Sequence, residues 1–174
     1  MADDRELRER IRRGDADAFG SLYCIYAPRL EIFLRHVLQD RQAAQDVTQE
    51  TFARMWERPN GFDPARGTLR AYLFGAGRKR AAEWWRKRGA QVAALENDSC
   101  ARSAEAAALV SDALARLPEE QRSLLWLREV EGHSYEELAT ILDVPIGTVR
   151  SRLFTAREEL RKIWRSEPNS KEKV

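Results

Sequence analysis

Between Ser134 and Trp164 the chain carries a pattern that few folds accommodate. Ser134, followed three residues later by Glu137, is a capping box and opens a helix. That helix is short and ends near Leu142. Asp143-Val144-Pro145 makes a tight turn, with Asp143 where a left-handed residue is wanted and Pro145 in the first turn of a longer helix. Projected at about 100° per residue, Val149, Leu153, Ala156, Leu160 and Ile163 share a narrow arc and face a core. The opposite arc holds Gly147, Ser151, Phe154 and Glu158, flanked by Arg150 and Thr155. Helix, turn and longer helix make a helix-turn-helix, whose second helix can enter the major groove. Arginine suits bidentate contact to guanine, serine can bond a base edge, and phenylalanine packs on a thymine methyl. Arg157, Arg161 and Lys162 suit phosphates, which give affinity without sequence choice. A blander reading packs Phe154 on a neighbouring helix and leaves Arg150 solvated.

The rest of the sequence is also helical in pattern. Phe19, Leu22, Tyr23 and Tyr26 recur at helical spacing, and Pro28 reads as the start of a second helix. Asp40 caps a helix with Ala44, Val47, Thr51 and Met55 on one side, which stops before Pro59. ERPNGFDPARG is loop, and Thr68 then caps a long helix through Arg88. Helical periodicity resumes at Glu105–Leu117, Glu119–Val130, Tyr135–Leu142 and Pro145–Trp164. The segment from Gly89 to about Arg102 lacks aromatic and β-branched runs and reads as a flexible, mildly acidic linker. The expected architecture is all-α: residues 1–88 as one helical domain, 89–104 as linker, 105–166 as a helix-turn-helix domain and 167–174 as a disordered tail.

Charge is unevenly placed, although the formal net charge is only +2. Arg78 to Arg88 holds six bases and one acid, and Arg150 to Arg165 holds six bases and two acids. Such patches suit nucleic acid, although a solvated helix face has the same composition. No apolar run approaches a transmembrane length and the N-terminus is charged, so a cytoplasmic protein is expected. Two cysteines far apart give no disulfide framework and read as core filler, and His36 and His133 read as surface or capping residues. No metal-ligand spacing and no phosphate-binding glycine loop occur, so neither an enzyme nor a cofactor is expected.

Two further groups of residues suggest surfaces. Asp46, Gln49, Glu50 and Phe52, with Trp56, lie away from the apolar stripe and look like a face that docks another protein. In LRAYLFGAGRKRAAEWWRKR the rings of Tyr72, Phe74, Trp84 and Trp85 alternate with bases, so cations can follow phosphates while rings stack unpaired bases. At least one of Trp84 and Trp85 belongs to the core, because neighbours on a helix diverge. The preceding loop, Pro59 to Gly67, could house an extruded base.

Together these blocks resemble the sigma-70 family of bacterial transcription initiation factors, of the compact extracytoplasmic-function (ECF, group IV) type, over Asp15 to Trp164. DRQAAQDVTQETFARMW is similar to region 2.2, FDPARGTLRAYLFGAGRKRAAEWWRKR to regions 2.3 and 2.4, and LPEEQRSLLWLREVEGHSYEELATILDVPIGTVRSRLFTAREEL to region 4. The resemblance implies a region 2 bundle and a region 4 helix-turn-helix on a flexible linker. It implies contact with the β′ coiled coil of core RNA polymerase through Asp46, Gln49, Glu50, Phe52 and Trp56. It implies capture of melted −10 DNA through Asn60, Gly61, Phe62 and Asp63 in the loop to Gly67, with Arg78, Lys79, Glu83 and Trp84 alongside. It implies −35 reading by Arg150, Ser151, Phe154 and Thr155, with Arg157 beside them, and contact with the β flap. An anti-sigma factor, often at the membrane, is the further partner implied. Lys79 stands where the family usually has asparagine, Gln45 where an acid is common and Thr155 where a base is frequent, so the exact promoter sequence does not carry over. The competing non-enzymatic reading is a dimeric helix-turn-helix regulator that works without polymerase.

Overall fold

In the computed structural model, residues 4–88, 113–114 and 116–166 are described. The expected linker, most of the expected helix Glu105–Leu117 and the expected tail lie outside these residues. All regular structure among the described residues is helical: α1 (Asp4–Arg12), α2 (Ala16–Leu38), α3 (Arg41–Glu57), α4 (Leu69–Arg88), α5 (Glu119–Leu125), α6 (Tyr135–Leu142) and α7 (Ile146–Ser166).

Local chemistry sets most of the boundaries. Asp15 and Asp40 cap α2 and α3, their carboxylates accepting from Ala18 N–H at 2.9 Å and Ala43 N–H at 3.0 Å. Helix α4 is capped twice, Thr68 Oγ1 accepting from Ala71 N–H at 3.2 Å and Asp4 Oδ2 from Leu69 N–H at 2.7 Å. Asp4 thus ties α1 to the loop that precedes α4. Pro28 does not start a new helix: α2 runs straight through it. The buried stripe of Ala18, Leu22, Ala27, Leu30, Phe33, Leu34 and Val37 stays in helical register across the proline. Packing on both sides therefore outweighs the missing N–H. The expected helix Glu119–Val130 is α5 followed by a π-helical turn, Trp126–Val130, closed by Glu131 N–H on Trp126 O at 3.1 Å.

Helices α2, α3 and α4 pack into a bundle, with α1 laid against α2. Its centre is the Phe33–Phe74 pair, ring centroids 5.5 Å apart. Helices α2 and α4 approach closely at Gly77, where an added β-carbon would stand 2.9 Å from Leu30 Cδ1. Gly77→Ala is therefore expected to cost about 1–3 kcal/mol through overpacking, read as a lower urea midpoint; an unchanged midpoint would show that Leu30 gives way freely.

Helices α5, α6 and α7 enclose Leu124, Leu127, Leu138, Ile141, Val149, Leu153 and Ala156. This second group packs on the first through α6 on α4 and α5 on α2, so the buried side chains form one continuous cluster. The seam is polar at its edges. Arg70 donates to Glu137 Oε2 at 2.7 Å and to Glu131 O at 3.0 Å, and Thr68 Oγ1 donates to Glu137 Oε1 at 2.5 Å. Arg29 pairs with Glu131 at 2.7 Å, and Arg122 donates to His36 O at 3.0 Å. His36 stacks on Trp126 at 3.8 Å, and Phe74 meets His133 edge-on at 5.1 Å.

Burial corrects several sequence readings. Phe74, read as one of the rings that stack unpaired bases, is fully buried between Phe33 and His133. His133 is fully buried at the seam rather than a surface or capping residue. Cys24 is exposed on α2, off the Leu22–Ala27 stripe, and so is no core filler. Phe52, read as an outward ring, is 1% exposed because α2 lies over it.

Candidate nucleic-acid and protein interfaces

The helix-turn-helix forms as its residues dictate. Ser134 and Glu137 complete the capping box, Ser134 Oγ accepting from Glu137 N–H at 3.1 Å and Glu137 Oε2 from Ser134 N–H at 3.0 Å. Asp143 adopts φ 56°, the left-handed conformation that a helix C-terminus favours. Val149, Leu153 and Ala156 are buried, which turns Arg150, Ser151, Phe154 and Thr155 outward. Phe154 is 68% exposed, so it packs on no neighbouring helix among the described residues. The Ser151 hydroxyl donates to Thr148 O at 3.0 Å and Thr155 Oγ1 to Ser151 O at 3.1 Å, leaving their lone pairs outward. Arg150 sits 5.9 Å over the Tyr135 ring, which steadies the guanidinium near the helix start. Arg157 is engaged differently: its bond to Glu129 at 2.7 Å holds it along the helix flank.

The acidic face on α3 is built on rings. Asp46, Gln49 and Glu50 are exposed. Behind them, Phe52 meets Tyr23 at 4.9 Å and Phe19 at 6.3 Å, while Trp56, 40% exposed, lies 4.9 Å from Phe19. Phe19 and Tyr23 on α2, and Phe52 and Trp56 on α3, each follow an i, i+4 spacing, so the two pairs interlock. Tyr23, read from the sequence only as part of a helical series with Phe19, is 39% exposed and is a surface member of this cluster. Glu50 lies 3.3 Å from Arg54 and 3.7 Å from Arg80, linking this face to the basic helix.

The loop between α3 and α4 presents Asn60, Gly61 and Asp63 to solvent. Asp63 Oδ1 accepts from Ala65 N–H at 2.9 Å, which folds the loop on itself. Phe62 is 2% exposed with its ring 5.6 Å from Tyr72, so it anchors the loop and cannot itself stack on a base. On α4, Lys79 and Glu83 are exposed, whereas Arg78 and Trp84 are half-buried. Trp84 meets Trp85 edge-on at 5.1 Å and carries Arg88 over its ring at 4.6 Å, so Trp84 is the tryptophan that packs inward and Trp85 stays 42% exposed.

At the seam, two titrating groups are strongly perturbed. Burial, reinforced by Arg70, holds the His133 imidazole down to about 4, against the pull of Glu137 with its Oε2 3.3 Å from Nδ1. Burial alone would raise Glu137, but bonds from Thr68, Ser134 N–H and Arg70 prevail and hold it at about 2.

Among the described residues the chain is all-helical and carries a helix-turn-helix, the architecture of a class of DNA-reading transcription factors. The family description "Sigma-70 region 2" matches residues 22–91 and "Sigma-70, region 4" matches residues 107–160. The RNA polymerase sigma-H factor of Pseudomonas aeruginosa is 33% identical over 91% of this chain and 92% of its own. The ECF RNA polymerase sigma-E factor of Escherichia coli is 31% identical over 90% and 92%. Among solved structures, CnrH in complex with the cytosolic domain of CnrY matches with TM-score 0.75 and 26% identity, over 95% of this chain and 99% of that one. RpoE of Bartonella quintana, bound to the anti-sigma factor NepR, matches with TM-score 0.69 and 25% identity, over 86% and 98%. The chain belongs to the sigma-70 family of RNA polymerase sigma factors, in its extracytoplasmic-function branch. It is a promoter-directing initiation factor, and the polymerase-independent dimeric regulator is set aside. Sigma factors are transcription factors rather than enzymes. No described helix is long and apolar enough to cross a membrane.

Proposed function

We propose that three surfaces divide the work of initiation. Asp46, Gln49, Glu50 and Trp56, braced from beneath by Phe52, dock on the β′ coiled coil of core polymerase. The exposed loop residues Asn60, Gly61 and Asp63, with Arg78, Lys79, Glu83 and Trp84, hold a melted −10 strand, and Phe62 anchors the loop. Arg150, Ser151, Phe154 and Thr155 read the −35 duplex, and Arg157 joins its phosphates once Glu129 releases it. The observation that carries this reading is the outward face of α7, where a large apolar ring stands in water beside a guanidinium and hydroxyls.

The packed seam supports one further element of the mechanism. The −10 and −35 elements lie about 25 base pairs apart, about 85 Å at 3.4 Å per base pair. Here the −10 loop touches the helix-turn-helix, since a β-carbon added at Gly67 would stand 3.5 Å from Thr140 Cγ2. Arg150 follows Thr140 by ten residues, at most about 36 Å of extended chain. The packed form is too short to read both elements, so binding to polymerase opens the α4–α6 seam. The same seam offers a closed form for an anti-sigma factor to hold, a partner of the kind with which RpoE is found in complex, and the factor works in the cytoplasm.

The test is in vitro transcription with purified core polymerase on a random promoter library. It is expected to return a two-part motif, and transcription without any enriched −35 block would overturn the reading. Arg150→Ala is expected to remove roughly 1–3 kcal/mol of preference at one −35 base. An equal loss on every sequence would make Arg150 a phosphate clamp instead.

A further inference from the structure

The loop proposed to take an unstacked base is shaped by a residue outside it. A β-carbon added at Gly61 would lie 2.8 Å from Tyr72 Oη and 3.8 Å from its Cζ. Gly61 has no left-handed φ, so its need for glycine is steric. The short 3-10 turn Pro59–Gly61 comes down directly on the tyrosine hydroxyl.

Tyr72 has little freedom to move aside. It is half-buried in the first turn of α4, a turn pinned by Asp4 on Leu69 N–H and by Thr68 on Ala71 N–H. Its ring packs on Phe62, which is itself buried. Burial raises the pKa of its hydroxyl above the ordinary value, so at neutral pH it meets Gly61 uncharged. Asn60 and Asp63, on either side of this fixed point, remain exposed. The geometry points to Tyr72 as the positioning residue of the −10 loop: its hydroxyl is the stop that sets the height of the Gly61 backbone, and with it the shape of the pocket that selects a base.

This inference rests on the proposed reading of −10 DNA by the loop, and one experiment separates the two. Full-length chain bound to core polymerase is assayed for promoter opening on a promoter recovered from the library and on versions with each −10 base replaced. The readout is the ratio of opening between original and replaced bases. Gly61→Ala drives the new methyl into the hydroxyl and is expected to reduce that ratio about tenfold. In Gly61→Ala/Tyr72→Phe the nearest ring carbon is at ordinary contact distance, and the ratio is expected to return to within about twofold of the starting chain, as it should for Tyr72→Phe alone. A double variant as impaired as Gly61→Ala would overturn the role of Tyr72. So would Tyr72→Phe alone losing as much as Gly61→Ala, because the hydroxyl would then be a base contact rather than a stop. If the Asn60→Ala/Asp63→Ala chain keeps the full ratio, the loop does not read the base, and the underlying reading fails with it. If that chain loses the ratio and the rescue still fails, only the assignment of Tyr72 falls.

Discussion

Phe74→Ala is expected to lower stability by about 3–5 kcal/mol, the range for emptying a buried aromatic site, out of a total of about 5–15 kcal/mol for an ordinary domain. The position is fully buried, and its ring has a neighbour on each side: Phe33 at 5.5 Å within the first bundle and His133 at 5.1 Å across the seam. Neither neighbour can collapse into the space easily. Phe33 is held in α2 by a stripe with no exposure at Leu30 and Leu34, and His133 sits in the turn that Ser134 and Glu137 lock. The loss should therefore appear twice. The urea midpoint should fall, and the transition followed by the NMR indole N–H resonance of Trp126, which senses the seam through His36, should separate from that followed by helix content. A midpoint displaced by under about 1 kcal/mol, well below the cost of emptying a packed aromatic site, would mean that Phe74 does not fill a packed site between α4 and α6.

The helices and the outward face of α7 were legible because their signals are local. A capping box, a left-handed aspartate and a proline within one turn leave the chain few options between Ser134 and Pro145. The spacing of Val149, Leu153 and Ala156 then fixes which way Arg150 and Phe154 point. Pro28 misled because its local rule is weaker than the continuous buried stripe on either side of it. Phe52 and Phe62 misled in another way. Each lies beside polar residues that do face solvent, and only the approach of a second element, α2 over Phe52 and Tyr72 beside Phe62, makes it an anchor rather than a contact. The seam could not be read at all. Thr68 and Arg70 lie 69 and 67 positions from Glu137, and Glu137 is already accounted for by its capping role. A residue that satisfies one local motif gives no outward sign that its second oxygen serves a distant partner.

That double use of Glu137, with a buried imidazole beside it, makes the molecule sensitive to acid. Unfolded, His133 takes up a proton near 6.5; in the native seam it does so only near 4. Between those values the unfolded chain binds more protons, so stability falls as pH falls, by about 3 kcal/mol once the native value is passed. His36, lowered in the same direction by burial and by Arg122, adds to this window. Glu137 acts below it. Its native value of about 2 against an ordinary 4.5 means that its contribution is complete above 4.5 and is lost on the way down to 2. Both histidines lie on the seam, so the first loss, from neutral pH to about 4.5, should open the two helical groups before either one melts. Scattering should show this as a radius of gyration rising from about 16 Å, the value for a compact chain of this length, while helix content holds. His133→Leu should flatten the stability profile between pH 6.5 and 4.5 while keeping the decline below it. An unchanged slope in that variant, or a constant radius down to pH 4, would place the acid sensitivity elsewhere than in the contact that Arg70 and Glu137 close.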